Sequence, residues 1–320
     1  MIAPHPSTAG AAAHRLSTEL DRALSAGAVG HVGTLAPRDQ RDALLSLLTI
    51  YDLHLAPVQV VGERARFQHH PGIAALKLRL EDELIRELED AVRSTDWGEH
   101  DASDPVGALR AIAARDQVPS IYDWLAEEAT RDEVLAFLTM EGGPDGGFDD
   151  LVAACQIGLS GPAKLEMAVN YWDEMGNGAL EDVHTELHHK MAAALHLEPP
   201  QREFEITGSL RRAALGGLLA TSRYLQPEMV GALGIIELQA GPRCRRVLAA
   251  FDRVGLPQDA RPFYEVHAAV DPRHGKDWLD KVVASLAHDP RFSEGMVRGA
   301  RWRVVANRWF FDAAEERLRS

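Results

Sequence analysis

Thiols are almost missing from this sequence. Cys155 and Cys244 are the only two cysteines in 320 residues. Both lie in apolar, helical-looking stretches, which argues against a disulfide framework and reads as two buried, reduced thiols. That usage suits a cytoplasmic protein. Positive charge is short too: 34 Lys and Arg against 48 Asp and Glu leave a formal charge of −14. The deficit disfavours a general role on nucleic acid or on an anionic membrane surface, where phosphates demand clustered Lys and Arg. No uninterrupted apolar run is long enough to span a bilayer, and Met1-Ile2-Ala3-Pro4-His5-Pro6 lacks a basic segment leading into an apolar one. Neither a membrane helix nor a signal peptide is expected. Internal repeats and low-complexity tracts are absent, although 1–13 is rich enough in Ala, Pro and His to fray. Strand-like alternation is confined to an ambiguous piece at 58–61.

What remains is helical periodicity, so the expected fold is all-α. Two amphipathic helices near 9–26 and 38–54 form an N-terminal helical extension over 1–65, and a loop over 56–70 ends in His69-His70-Pro71. A polar pair before a helix-starting proline reads as a solvated cap. The main body, 66–320, opens with a helix over 73–92 whose apolar Ala74, Leu76, Leu80, Leu84 and Leu88 recur beneath a charged face. A loop at 97–105 precedes helices at 106–115, 119–129, 131–141, 147–159, 162–175 and 179–197; the Gly-rich run 141–147 and Pro199-Pro200 interrupt them. Helices at 208–223, 227–253, 260–273, 276–288 and 292–317 complete the chain, with a bend expected at Gly241-Pro242.

Three potential metal ligands, His267, Asp271 and His274, stand at i, i+4 and i+7. On a helix turning about 100° per residue they fall within a sector of roughly 60° and can converge on one centre. A second cluster comprises Glu174, Glu181 and His184; if the helix continues through Gly176-Asn177-Gly178, Glu174 and Glu181 share a face, and Glu181-x-x-His184 resembles half of a di-iron carboxylate site. Glu237 ends a buried-looking run, Gly231 to Ile236, where a lone carboxylate is costly. Either a metal or an ion pair with Arg243 or Arg245 answers that need. Together these are four carboxylates and three imidazoles, a set two divalent cations nearly neutralise. Mixed imidazole and carboxylate donors suit iron or manganese, and the lack of thiolates argues against structural zinc. Among their neighbours, Tyr171, Trp172 and Tyr264 read as core or cavity wall. His188 and His189 point about 100° apart, so at most one faces the site. Arg298, Arg301, Arg303 and Arg308 offer surface ion pairs or a grip on a substrate carboxylate.

The His-x3-Asp-x2-His helix, preceded by Glu237 and by Glu174, resembles the haem-oxygenase-like di-iron oxidases and oxygenases over about 66–320. The resemblance implies a haem-oxygenase-like multi-helix bundle holding two Fe(II)/Fe(III) ions with O2 as co-substrate. One iron would sit on Glu174, His184 and His267, the other on Glu237, Asp271 and His274, with Glu181 bridging or completing the shell. It also implies a peroxo-level di-ferric intermediate acting on a small-molecule substrate, with room for an external electron donor. The three-His, four-carboxylate set matches the N-oxygenating branch, which implies oxidation of an amine or guanidine of an amino-acid-like natural-product precursor. Oxidation of carbon in the same fold is the first alternative, and a haem-binding or iron-storage helical protein the second. A third alternative is a non-catalytic helical module. Pro272 inside the ligand helix should loosen it and couple its order to metal. No nucleic acid or membrane partner is expected, and exposed helix faces allow a homodimer.

Overall fold

The computed structural model describes residues 15–98, 104–142, 147–198 and 201–319. No strand occurs among them. The expected fraying over 1–13, the start of the first helix at 9, the interior of the 97–105 loop, residues 143–146 and the expected break at Pro199-Pro200 lie outside the described residues. The chain divides between Asp82 and Glu83 into two compact units.

The first unit holds α1 (Leu16–Ala26), α2 (Gln40–Leu55), α3 (Val58–Val61) and the beginning of α4 (Pro71–Ser94). The ambiguous piece at 58–61 is α3, a single exposed helical turn. Arg15 offers α1 no side-chain cap. Asp42 supplies it from α2, accepting from Leu16 N at 2.7 Å and Ser17 N at 2.9 Å. At the head of α4, His70 Nδ1 accepts from Gly72 N at 3.1 Å, so this histidine does act as a cap. Ile73, Leu76, Leu80, Leu84 and Leu88 form the buried stripe of α4.

The second unit contains α5 (Pro105–Arg115), α6 (Ser120–Glu127), α7 (Arg131–Glu141), α8 (Phe148–Cys155), α9 (Gly161–Glu174), α10 (His184–Ala194) and α11 (Thr207–Thr221). It continues with α12 (Gln226–Val254), α13 (Pro262–Asp277), a π-helical turn at Trp278–Val283, α14 (Ala284–Leu286) and α15 (Pro290–Arg319). α12 is the axis, packed along α13, α15 and α6. Cβ atoms added to Gly231 or Gly299 would stand 1.8 Å from Met296 O and Glu228 O, so α12 and α15 cross backbone against backbone. Phe137, Phe251, Phe310 and Val247 fill a core beside this crossing.

Both proline interruptions are carried inside continuous helices, α12 through Gly241-Pro242 and α13 through Pro272. Pro272 has no N–H to give Ala268 O. Arg245 Nη1 donates to that carbonyl instead, at 3.2 Å, which offsets the lost helix bond. Cys155 and Cys244 are buried and free. Among the described residues no single helix is long and apolar enough to cross a membrane.

Candidate metal centre

Four helices of the second unit carry the cluster. α9 ends at Glu174, α12 supplies Glu237, and α13 supplies His267, Asp271 and His274, while His184 opens α10. Glu174, His184, Glu237, Asp271 and His274 are all buried. Potential ligand atoms of Glu174, His184 and His267 lie within 4.8 Å of one another, and so do those of Glu174, Glu237 and His274. Glu174 is common to both groups. Asp271 is buried beside them, close enough to Glu237 and Glu174 for their charges to act on it.

Glu181 is the one candidate that the structure leaves out. The helix does not continue from Glu174: Gly176, Asn177 and Gly178 all take positive φ, and Glu181 falls exposed in a 3-10 turn. A Cβ on Gly176 would stand 2.5 Å from the backbone of Asp182, so the chain here folds tightly back on itself. The reversal returns His184 to the cluster, with its Nδ1 2.7 Å from Glu174 Oε2. Spacing on a continuous helix is therefore not what joins Glu174 to His184; the glycine turn is.

Two of the three imidazoles, His267 and His274, are oriented by their other nitrogen. His267 Nδ1 lies 2.6 Å from Phe263 O, one helical turn back, which makes Nδ1 the protonated nitrogen and leaves Nε2 for a ligand. Burial, aided by repulsion from His184, pushes His267 down to about 4, so it is neutral as a metal ligand must be. His274 Nε2 is held by Asp173 Oδ2 at 2.9 Å, and its Nδ1 faces Glu237 Oε2 at 3.5 Å. Burial opposes charge on His274, but Glu237, Asp173 and Glu174 together outweigh it and raise its pKa to about 9. Without a metal, this imidazolium is the cation that partly balances the carboxylates.

Asp173 and Asn170, which donates to Glu237 Oε1 at 2.6 Å, were not singled out by sequence. Both sit on α9, and nothing in linear spacing ties them to α12 or α13. The alternative answer to the buried charge of Glu237 does not hold. Arg243 turns to Gln117 O and Asp116 O, and Arg245 to Ala268 O.

Whether this set suits a metal can be judged from the groups themselves. Burial pushes the Asp271 carboxyl well above its ordinary range, and repulsion from Glu237 and Glu174 adds to it. Asp271 Oδ2 is buried without a hydrogen-bond partner, and the Nδ1 atoms of His184 and His274 face only the carboxylates of Glu174 and Glu237. Converging carboxylates and imidazole nitrogens aimed at them are what a bound cation would satisfy. The donor set fits iron.

The profile of a family of iron-containing redox enzymes matches residues 135–308, more than half of the chain and every candidate ligand. The chain belongs to this family. A comparison with the curated proteins gives no match. As an iron-containing redox enzyme it is an oxidoreductase, and its helices form an all-α bundle of the haem-oxygenase-like kind.

Beside the ligands this redox enzyme holds a cavity of about 120 Å³, bordered by Glu174, Glu237, His267 and Asp271. Phe148, Ile236, Val247, Phe263 and Phe311 supply apolar wall, and Glu141, Tyr122, Tyr264, Arg212, Arg243, Arg303 and Asn307 supply polar wall. Tyr122 and Tyr264 both donate to Glu141, at 2.7 and 2.9 Å. Tyr264 is thus cavity wall, whereas Trp172 is exposed. His188 turns inward only as far as Phe263, ring centroids 5.2 Å apart, and His189 is exposed. Of the four arginines of α15 named from sequence, Arg298 pairs with Glu89 and Glu228, and Arg308 with Asp116. Arg303 alone of these four lines the cavity.

Proposed function

We propose that the chain is a non-haem di-iron oxidoreductase that uses O2 and an external electron donor to oxidise an amine or guanidine nitrogen on a small amino-acid-like molecule. The carrying observation is that Glu174 belongs to two ligand groups at once, which suits a carboxylate shared by two cations. Glu174, His184 and His267 would hold one iron, and Glu174, Glu237 and His274 the other, with Asp271 completing the shell. Bound there, the iron pair supplies the electrons and Lewis acidity that O2 chemistry requires.

The chain's own residues prepare that chemistry. Asp173 and the Phe263 carbonyl fix which nitrogen of His274 and His267 faces the centre, as outer partners of metal ligands do. Apolar side chains of Phe148, Ile236 and Phe263 line part of the same cavity, a surface that favours a bound substrate over water there. The third imidazole, His184, in the cluster supports the N-oxygenating reading, through the resemblance that links it to that branch. A compact cavity bearing arginines and phenols supports a small polar substrate over a long acyl chain.

Anaerobic loading with Fe(II), metal counting and rapid mixing with O2 test the proposal. About two irons per chain and a transient visible absorption that decays faster with small amines are expected. Failure to retain iron, or a haem band in the purified protein, would refute it.

A further inference from the structure

α9 has a solvent face that the metal centre does not use. Its inner side, with Ala163, Glu166, Met167 and Asn170 buried, packs against α8 and the π-helical turn, and Asn170 and Asp173 hold Glu237 and His274. The outer side exposes Leu165, Val169 and Trp172 at i, i+4 and i+7, one stripe along a helix, at 70, 52 and 53 %. Gly161, Pro162 and Ala168 are exposed beside them, and Lys164 is the one charged residue of α9 that is exposed. Charged residues make up 26 % of the chain, and the solvent side of a surface helix is where they normally collect, so a side this bare calls for a partner.

The apolar surface runs on past the helix. A Cβ on Gly178 would stand 2.9 Å from Trp172 Cη2, so the indole lies against the turn, and Leu180, 73 % exposed, follows two residues later. An indole held in this way is the kind of rigid aromatic anchor found at interface centres.

Opposite charges mark the two ends of the face. Lys164 stands near the start of α9, whereas Glu181 and Asp182 are exposed at the other end, where the Asp182 backbone meets Gly176. About 15–20 Å of helix separates these ends. A two-fold axis through the middle of the stripe lays α9 of a second copy antiparallel on the first, apolar side against apolar side. Lys164 of each copy then meets the Glu181–Asp182 end of the other. Molecules of charge −14 repel one another, and a face almost free of charge is where two copies approach at least cost. The four large apolar side chains expose roughly 400 Å² per copy; doubled, and with the exposed small residues and charged rim added, this approaches the about 1,200 Å² of a specific interface. A lipid surface fits less well, because its phosphates would meet the acidic end.

We infer that the chain forms a two-fold homodimer in which α9 packs antiparallel on α9 of a second copy. Leu165, Val169, Trp172 and Leu180 form the centre, and Lys164 pairs with Glu181 and Asp182 at each end. The inference does not depend on the metal reading.

Sedimentation velocity and light scattering on the full chain test it. A dimer with a dissociation constant on the order of 1 μM is expected. Leu165→Glu sets an unpaired carboxylate on each half of the interface and should raise that constant at least about 100-fold. Far-UV circular dichroism should stay unchanged, because the side chain is exposed in the single chain. Lys164→Glu should weaken the dimer by about 10-fold, and combining it with Glu181→Lys and Asp182→Lys should restore pairing, a rescue that loss of folding cannot produce. A wild-type chain still monomeric at about 100 μM would overturn the inference. So would a dimer that neither Leu165→Glu nor Lys164→Glu weakens, or a triple variant that stays dissociated. Flotation of the monomer with neutral phosphatidylcholine vesicles would assign the face to lipid and overturn it too.

Discussion

Glu174 is the residue on which most depends, because it is shared by both ligand groups and raises the pKa of Asp271. Glu174→Gln keeps the shape and removes the charge. Iron affinity should fall by at least about 100-fold, measured by metal counting after dialysis. His184→Ala should be milder, emptying the group that contains it and leaving Glu174, Glu237 and His274 with about one iron per chain. In the first unit Asp42 gives a test independent of metal. Burial works against its charge, but hydrogen bonds from Arg38, Ser17 and Leu16 together prevail and lower its pKa. A carboxyl held lower in the folded state stabilises fully above the ordinary value of about 3.9, and that stabilisation disappears as pH falls through the lower folded value. Asp42→Asn should therefore cost about 1–3 kcal/mol at pH 7, by denaturant unfolding followed in the far-UV, and progressively less below pH about 4.

At the scale of elements, the turn after α9 decides whether α10 brings its histidine home. Gly176→Ala places a Cβ 2.5 Å from Asp182 and imposes a left-handed backbone on an L-residue. The turn should open and bound iron should fall from about two toward about one per chain, read by metal analysis, with helical circular dichroism nearly unchanged. Helix spacing made His267, Asp271 and His274 legible in the sequence, since all three lie on one helix that continues through its proline. Glu181 was misplaced because the same rule was extended across Gly176-Asn177-Gly178, where the chain reverses. Asp173 and Asn170 were missed for the opposite reason: their partners are about 67 to 101 residues away, and periodicity says nothing about contacts between helices. The helices themselves were read well where apolar spacing and caps agreed, as at Arg131–Glu141 with its Thr130–Glu133 capping box. Val58–Val61 was ambiguous because four residues are too short for either period to declare itself.

Across the whole molecule, the two units differ in what they report. All six tryptophans, Trp97, Trp124, Trp172, Trp278, Trp302 and Trp309, lie in the unit that begins at Glu83, which also carries every candidate ligand. Tryptophan fluorescence, excited apart from the tyrosines, therefore follows the metal-bearing unit alone, since Tyr51 lies in the other. Fe(II) at 100 times its dissociation constant should stabilise that unit by about 2.7 kcal/mol, seen as a higher melting temperature by fluorescence and reversed by chelator. An unchanged fluorescence transition would mean that iron, if bound, is held outside this cluster. The cavity's arginine wall was not legible in the sequence, because Arg212, Arg243 and Arg303 come from three helices.

The central claim is a pair of irons sharing Glu174, and anomalous X-ray diffraction at the iron edge from anaerobically iron-loaded crystals addresses it directly. Two anomalous peaks are expected, about 3.5–4 Å apart, both within bonding distance of the Glu174 carboxylate, one beside His184 and His267 and the other beside Glu237 and His274. A single peak, or iron bound away from Glu174, would contradict the account.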